Sequence, residues 1–147
     1  MNAGQSSAAA AAPGVALRKD EYAKCTKLLE NIEADQCCDP FLLPVDWEAL
    51  KLYDYPKVVT RPMDFSTLKK NLKDGKFSTY EEFLADLQLI WDNCKLYNMV
   101  GSEIYKLAER MEKMSRREIQ KFKSQYGLHG LTTVSYTHLT LPTKRIV

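Results

Sequence analysis

Apolar residues recur along this chain with the period of an α-helix, in separate blocks. In the first, Cys25, Leu28, Leu29 and Ile32 fall at i, i+3, i+4 and i+7, flanked by Lys24, Lys27, Glu30 and Glu33. That spacing makes one apolar stripe on a charged helix and predicts a helix from about Leu17 to Cys37. The second block is short: Asp64 offers an N-cap, Phe65, Leu68 and Leu72 face inward, and Gly75 comes next as a stop. Ser78-Thr79-Tyr80-Glu81 has the spacing of a capping box. It is predicted to open a third helix whose apolar face is Phe83, Leu84, Leu87, Ile90, Trp91 and Cys94, ending near Leu96. After a connection over Tyr97–Gly101, Ser102 is the expected N-cap of a fourth helix. This one carries Ile104, Leu107, Ala108, Met111, Met114, Ile119 and Phe122 and stops near Gly127. No segment alternates with period two. The pattern predicts an all-α fold, a bundle of four helices.

One connection does not fit a short turn. Between Asp39 and Asp64 stand Pro40, Pro44, Pro56 and Pro62, each of which removes a backbone donor and disfavours helix before it. The same stretch holds Phe41, Leu42, Leu43, Val45, Trp47, Leu50, Leu52, Tyr53, Tyr55, Val58, Val59 and Met63. A polar linker has no such content. A loop of this length inside a compact domain is usually functional, and an apolar one is expected to pack on the bundle and line something.

Both ends differ from this body. Residues 1–16 are small and carry little to bury, so they are expected to be a disordered tail. Residues 128–147 have no helical period, and Val134–Thr143 resembles the in-frame translation of a sequencing adaptor. This tail is expected to be unstructured and foreign to the domain at 17–127. The chain has 147 residues, room for one ordinary domain, with 21 Lys and Arg against 19 Asp and Glu and a net charge of +2. That balance does not suggest a nucleic-acid binder. The basic run Lys113–Lys123 is interrupted by Glu118 and Gln120 and reads as a solvated helix face. Cys25, Cys37, Cys38 and Cys94 form no C-x-x-C pair, so reduced thiols are expected, with no metal site. No apolar run is long enough for a membrane span, and no secretory signal is visible. His129 and His138 both lie in the suspect tail, and no glycine-rich phosphate loop occurs, so no catalytic set is evident and no cofactor is expected.

Function is carried by a constellation between the helices. In order along the chain stand Pro40-Phe41, Val45, Tyr55-x-x-x-Val59-x-x-Pro62-Met63-Asp64 and Asn93-Cys94-x-x-Tyr97-Asn98. Order and spacing resemble the bromodomain signature over about residues 17–126. The resemblance implies a left-handed four-helix bundle that reads acetylated lysine without catalysis. It implies that the Asn98 amide hydrogen-bonds the acetyl carbonyl and that Tyr55 reaches the same oxygen through a water. Phe41 and Val45 would pack on the acetyl methyl and lysine stem beside Leu50 and Leu52. Tyr97 would wall the pocket, Ile104 would stand as gatekeeper, and Pro40, Pro62, Met63 and Asp64 would shape the loop. Acetylated histone tails are the implied partners, in the nucleus, for a monomer that contacts neither nucleic acid nor membrane.

The residue chemistry agrees. Acetyl-lysine is a neutral amide on an aliphatic stem, so its site needs apolar walls and one fixed donor for the buried carbonyl. Asn supplies that donor without a charge. Each residue also has a plainer reading. Asn98 could be a left-handed helix C-cap, Tyr97 and Ile104 could be core, and Phe41 and Val45 could only anchor the loop. Asp39 stands where the family often has Trp, and Pro56 where it often has a second Tyr. These departures keep open a rival reading: a helical docking bundle indifferent to acetylation. Asp39, Asp46, Glu48 and Asp54 make the loop acidic, the sign that suits basic tails.

Overall fold

The computed structural model describes residues 16–128. Within them run α1 (Lys19–Glu33), a 3₁₀ helix (Gln36–Phe41), the one-turn α2 (Tyr55–Val58), α3 (Phe65–Lys73), α4 (Tyr80–Tyr97) and α5 (Glu103–Tyr126). No strand occurs among the described residues. The long helices α1, α3, α4 and α5 pack on one another, and the predicted all-α bundle is the fold observed.

Three boundaries differ from the sequence reading, the first two for a local reason. The first helix stops at Glu33 rather than Cys37. Asp35 is extended, and its carboxylate accepts the Cys37 N–H at 2.8 Å. That cap starts a new, tighter helix with Pro40 inside it. At α4 the cap lies one residue later than expected. Thr79, not Ser78, is the N-cap, its hydroxyl accepting the Glu82 N–H at 3.1 Å, while the Glu82 carboxylate takes the Ser78 N–H at 2.7 Å. A neighbouring hydroxyl moves the cap by one residue, and the glutamate bonds the amide before the cap rather than that of the cap itself. The helix also continues one residue past Leu96, to Tyr97.

The other caps fall where they were read. The Asp64 carboxylate accepts from the Thr67 N–H at 3.0 Å, the Thr67 hydroxyl at 2.6 Å and the Ser66 hydroxyl. Ser102 caps α5. Gly127 closes it in left-handed geometry, φ 67°, and the next amide, that of Leu128, donates to Lys123 O at 2.7 Å. Leu128 packs on the core and so belongs to the folded body rather than to the tail. The expectations for residues 1–15 and 129–147 lie outside the described residues.

Trp91 is the largest fully buried side chain. Phe41 meets it edge-on at 5.1 Å and Phe65 lies tilted at 5.9 Å, so two separate segments converge on the indole that α4 supplies. The four cysteines are free, and burial pushes the Cys25 and Cys38 thiols up to about 12, which keeps them protonated and inert. Among the described residues no helix is long and apolar enough to cross a membrane.

The bundle also buries charge. Glu112 of α5 is nearly inaccessible, yet it accepts hydrogen bonds from Lys95 and from Gln88 at 2.6 Å on α4 and from Arg116 at 3.0 Å. Burial alone would raise its carboxyl; the bonds from Lys95 and Gln88 and the charges of Lys95 and Arg116 outweigh it and hold the group below the usual 4.5. A depressed carboxyl contributes stability above the usual glutamate range and loses it as pH falls through the folded-state value. Replacing Glu112 by Gln should therefore cost about 2 kcal/mol at pH 7, since it leaves Lys95 beside a neutral amide. Urea melts as a function of pH should also show a shallower fall below pH 4.5 in the variant than in the parent protein.

Candidate functional site

The proline-rich loop is tied to the bundle at several points. At its start, Leu42 O accepts the Ser66 N–H at 3.0 Å. Near its end, buried Asn93 of α4 donates its side-chain amide to Arg61 O at 2.8 Å, and Arg61 pairs with buried Asp86 at 2.7 Å. In the middle the loop builds a turn of its own. The Asp46 carboxylate accepts the Ala49 N–H at 3.1 Å. Lys51 N donates to Glu48 O and Leu52 N to Trp47 O, the paired bonds of a Schellman closure, with Lys51 itself at φ 59°. Pro56 sits in the first turn of α2, where its missing N–H costs nothing, so that departure leaves Tyr55 undisturbed.

Between this loop and the junction of α4 with α5 opens a cavity of about 760 Å³. Its walls include Pro40, Leu42, Val45, Leu50, Leu52, Tyr55, Tyr97, Asn98 and Ile104. All but one of the residues read from the sequence as ligand-contacting are gathered here. The exception is Phe41, which is buried in the core against Trp91; its neighbours Pro40 and Leu42 stand in the wall. Met63 is half-buried against the core, Asp64 caps α3, and Pro62 is exposed. Asp39 and Asp46 add carboxylates to the lining.

Asn98 ends α4 in extended geometry, φ −99° and ψ 154°, so the left-handed cap that would explain an asparagine there is not what the backbone adopts. Its side-chain amide donates to Cys94 O at 2.9 Å. An amide nitrogen carries two protons; beyond Cys94 O its only acceptor is a thiol sulfur, a weak one that a carbonyl oxygen can displace, and the amide oxygen remains for another partner. The Cys94 sulfur lies 3.5 Å from the same nitrogen and 3.5 Å from Ile104 O, beneath the amide, and burial raises its thiol to about 11. This supporting cysteine was read in the sequence only as a small hydrophobe. Tyr55 is buried, its ring edge-on to Tyr97 at 4.9 Å, and burial raises its phenol, which stays a donor at neutral pH. The Tyr97 hydroxyl donates to Asp54 at 2.6 Å, and that bond lifts its phenol to about 12. The result is an apolar slot with one oriented amide and one phenol, able to hold a neutral polar group on an aliphatic stem.

The bromodomain family profile matches residues 25–110. The chain belongs to the bromodomain family. Among similar proteins, a mouse protein, bromodomain adjacent to zinc finger domain protein 2B, is 39% identical over 100 residues, which is 65% of this chain and 5% of that protein. Bromodomain-containing factor 2 of Saccharomyces cerevisiae is 34% identical over 97 residues, 64% of this chain and 15% of its own length. Transcription factor GTE1 of Arabidopsis thaliana is 36% identical over 89 residues, 60% and 21% respectively. The chain thus spans a small part of the length of these relatives. The bromodomain is a non-catalytic module that reads acetylated lysine, and that general role is the one this domain inherits.

The turn in the middle of the loop carries local strain that can be relieved. Lys51 holds a left-handed backbone between two wall residues, a conformation that costs a side chain about 1 kcal/mol or more. Lys51→Gly should stabilise the domain by about 0.5 kcal/mol, after the greater freedom of glycine in the unfolded chain is deducted, whereas Lys51→Val should destabilise it. Paired denaturant titrations will read both signs.

Proposed function

We propose that this bromodomain, folded over residues 17–127, binds acetylated lysine on histone tails or other nuclear proteins through the cavity walled by Val45, Leu50, Leu52, Tyr55, Tyr97 and Ile104. In doing so it brings the polypeptide it belongs to onto acetylated chromatin. The observation that carries this reading is Asn98: an amide anchored to Cys94 O at 2.9 Å, whose other contact is only the weak acceptor Cys94 Sγ at 3.5 Å, at an apolar cavity. Tyr55 acts one water away on the same carbonyl, since a bridging water is nearly equal to a direct bond. The acetyl-lysine stem replaces water along the leucine and valine wall.

Discrimination against plain lysine comes from desolvation. Within the apolar slot an ammonium would give up its hydration for at most the Asn98 amide oxygen, with no carboxylate beside it at the depth of the amide, and would be rejected by several kcal/mol, about 3 or more. The carboxylates of Asp39 and Asp46 favour a peptide whose other residues are basic. The domain acts as a monomer in the nucleus, without direct contact to nucleic acid.

Calorimetric titration of the full chain with one histone-tail peptide, acetylated and plain, tests the reading. Affinity for the acetylated form should be micromolar or weaker, about 10⁻⁶ to 10⁻⁴ M, because one side chain in one slot buries little surface. Asn98→Ala should lower it at least tenfold with the fold retained, the loss of one buried donor. Equal binding of both peptides across a panel of tails would favour the docking bundle instead. A separate salt series probes the rim. Asp39→Asn should weaken a lysine-flanked peptide by roughly twofold at low salt, and the difference should vanish as screening rises.

A further inference from the structure

Asp54 has a place in the loop that its own helix does not explain. It stands at the N-cap of α2, where an aspartate ordinarily accepts an N–H from the first turn, yet its side chain caps nothing there. The carboxylate turns instead to α4 and accepts the Tyr97 hydroxyl at 2.6 Å, across 43 residues of sequence. One residue on, the Tyr55 ring packs edge-on against the same Tyr97 at 4.9 Å. Asp54 and Tyr55 therefore grip Tyr97 together, one by its hydroxyl and one by its ring.

Each side of this grip is one residue from a donor of the cavity. Tyr97 immediately precedes Asn98, and Asp54 immediately precedes Tyr55. Tyr55, Tyr97 and Asn98 all line the cavity, and the loop and α4 approach each other there through this grip. The separation between the Tyr55 phenol and the Asn98 amide is the gap in which a carbonyl oxygen and its bridging water must fit. A loop free to swing away by about an ångström would leave both donors present and misplaced. Charged acceptors make short, strong bonds to hydroxyls, so a carboxylate is well suited to hold that spacing.

We propose that Asp54 is a positioning residue for acetyl-lysine recognition: its bond to Tyr97 sets the distance between the loop that bears Tyr55 and the helix end that bears Asn98. This rests on the acetyl-lysine reading of the cavity. Asp54 itself touches no ligand. Its contribution is to reduce the freedom the empty site must lose on binding.

The test is titration of the full chain with the acetylated histone-tail peptide. Asp54→Ala is expected to weaken binding about five- to tenfold while the melting temperature stays close to that of the parent protein. Tyr97→Phe, which removes only the hydroxyl, should weaken it by the same factor. The double variant should be no weaker than either single one, because both remove one bond. Asp54→Asn, whose amide oxygen still accepts, should recover most of what Asp54→Ala loses; a purely electrostatic role for the carboxylate would give no such rescue. Should Asp54→Ala fold poorly, Tyr97→Phe and Asp54→Asn decide the matter. If Asp54→Ala binds like the parent while Asn98→Ala does not bind, the positioning role is wrong and the reader stands. Additive losses, or no recovery in Asp54→Asn, also overturn it. If the parent protein does not prefer the acetylated peptide at all, acetyl-lysine reading fails and the positioning role falls with it.

Discussion

Both ends of the proline-rich loop rest on a single indole. Phe41 leaves the 3₁₀ helix and packs on Trp91; Phe65 opens α3 and packs on the same ring. Everything between them is thereby a closed loop rather than a linker, and the entropy of closing it is met where the burial is deepest. Among the described residues the Trp91 N–H meets no acceptor. Phe41 and Phe65 fix the position and orientation of the ring by apolar contact. The loop can carry several prolines and exposed apolar tips because its anchorage does not depend on its own regularity.

With the ends fixed, α4 governs the middle. Asp86, Asn93 and Tyr97 recur along it at helical spacing and address the loop in turn: Asp86 the Arg61 guanidinium, Asn93 the Arg61 carbonyl, Tyr97 the Asp54 carboxylate. One helix edge is thus a row of polar fasteners beside the apolar row that builds the core. Asn98 comes at the end of that row, held by Cys94 O. The Asn98 amide is consequently mounted at the end of a core helix rather than on the loop it faces, and fixed geometry of that kind is what a discriminating site needs.

Much of this could be read from residue pattern. The helices of the bundle were legible because their apolar positions recur over several turns, as in Cys25–Ile32 and Phe83–Trp91. The caps at Asp64, Ser102 and Gly127 were legible because each needs one residue type at one place. The cavity residues were gathered by a spaced signature rather than by periodicity, and Val45, Leu50, Leu52, Tyr55, Tyr97, Asn98 and Ile104 do converge. Two kinds of feature escaped. Where neighbouring residues could serve equally, as at Ser78 and Thr79, the register stayed ambiguous by one. Where a polar side chain works over long separations, as Asp54, Asp86 and Glu112 do, nothing local distinguishes it from a solvated surface group. Phe41 packs on Trp91 while Pro40 and Leu42 on either side of it stand in the cavity wall, a division that the spaced signature does not display.

The length of α5 separates the two ends of the domain. Ile104 at its beginning stands in the cavity wall, while Tyr126 at its end lies under the Lys24 ammonium of α1 at 4.6 Å. At 1.5 Å per residue the helix carries the chain about 33 Å between those two points. Leu17, whose N–H bonds Phe77 O at 3.0 Å, brings the other end of the folded body to the same pole, where Tyr80 also meets Phe122. Both ends of the described body thus lie at one pole, and the cavity lies toward the other. A body built this way can be spliced into a much longer chain at a single hinge point, like a pendant, without its neighbours shadowing the mouth of the cavity.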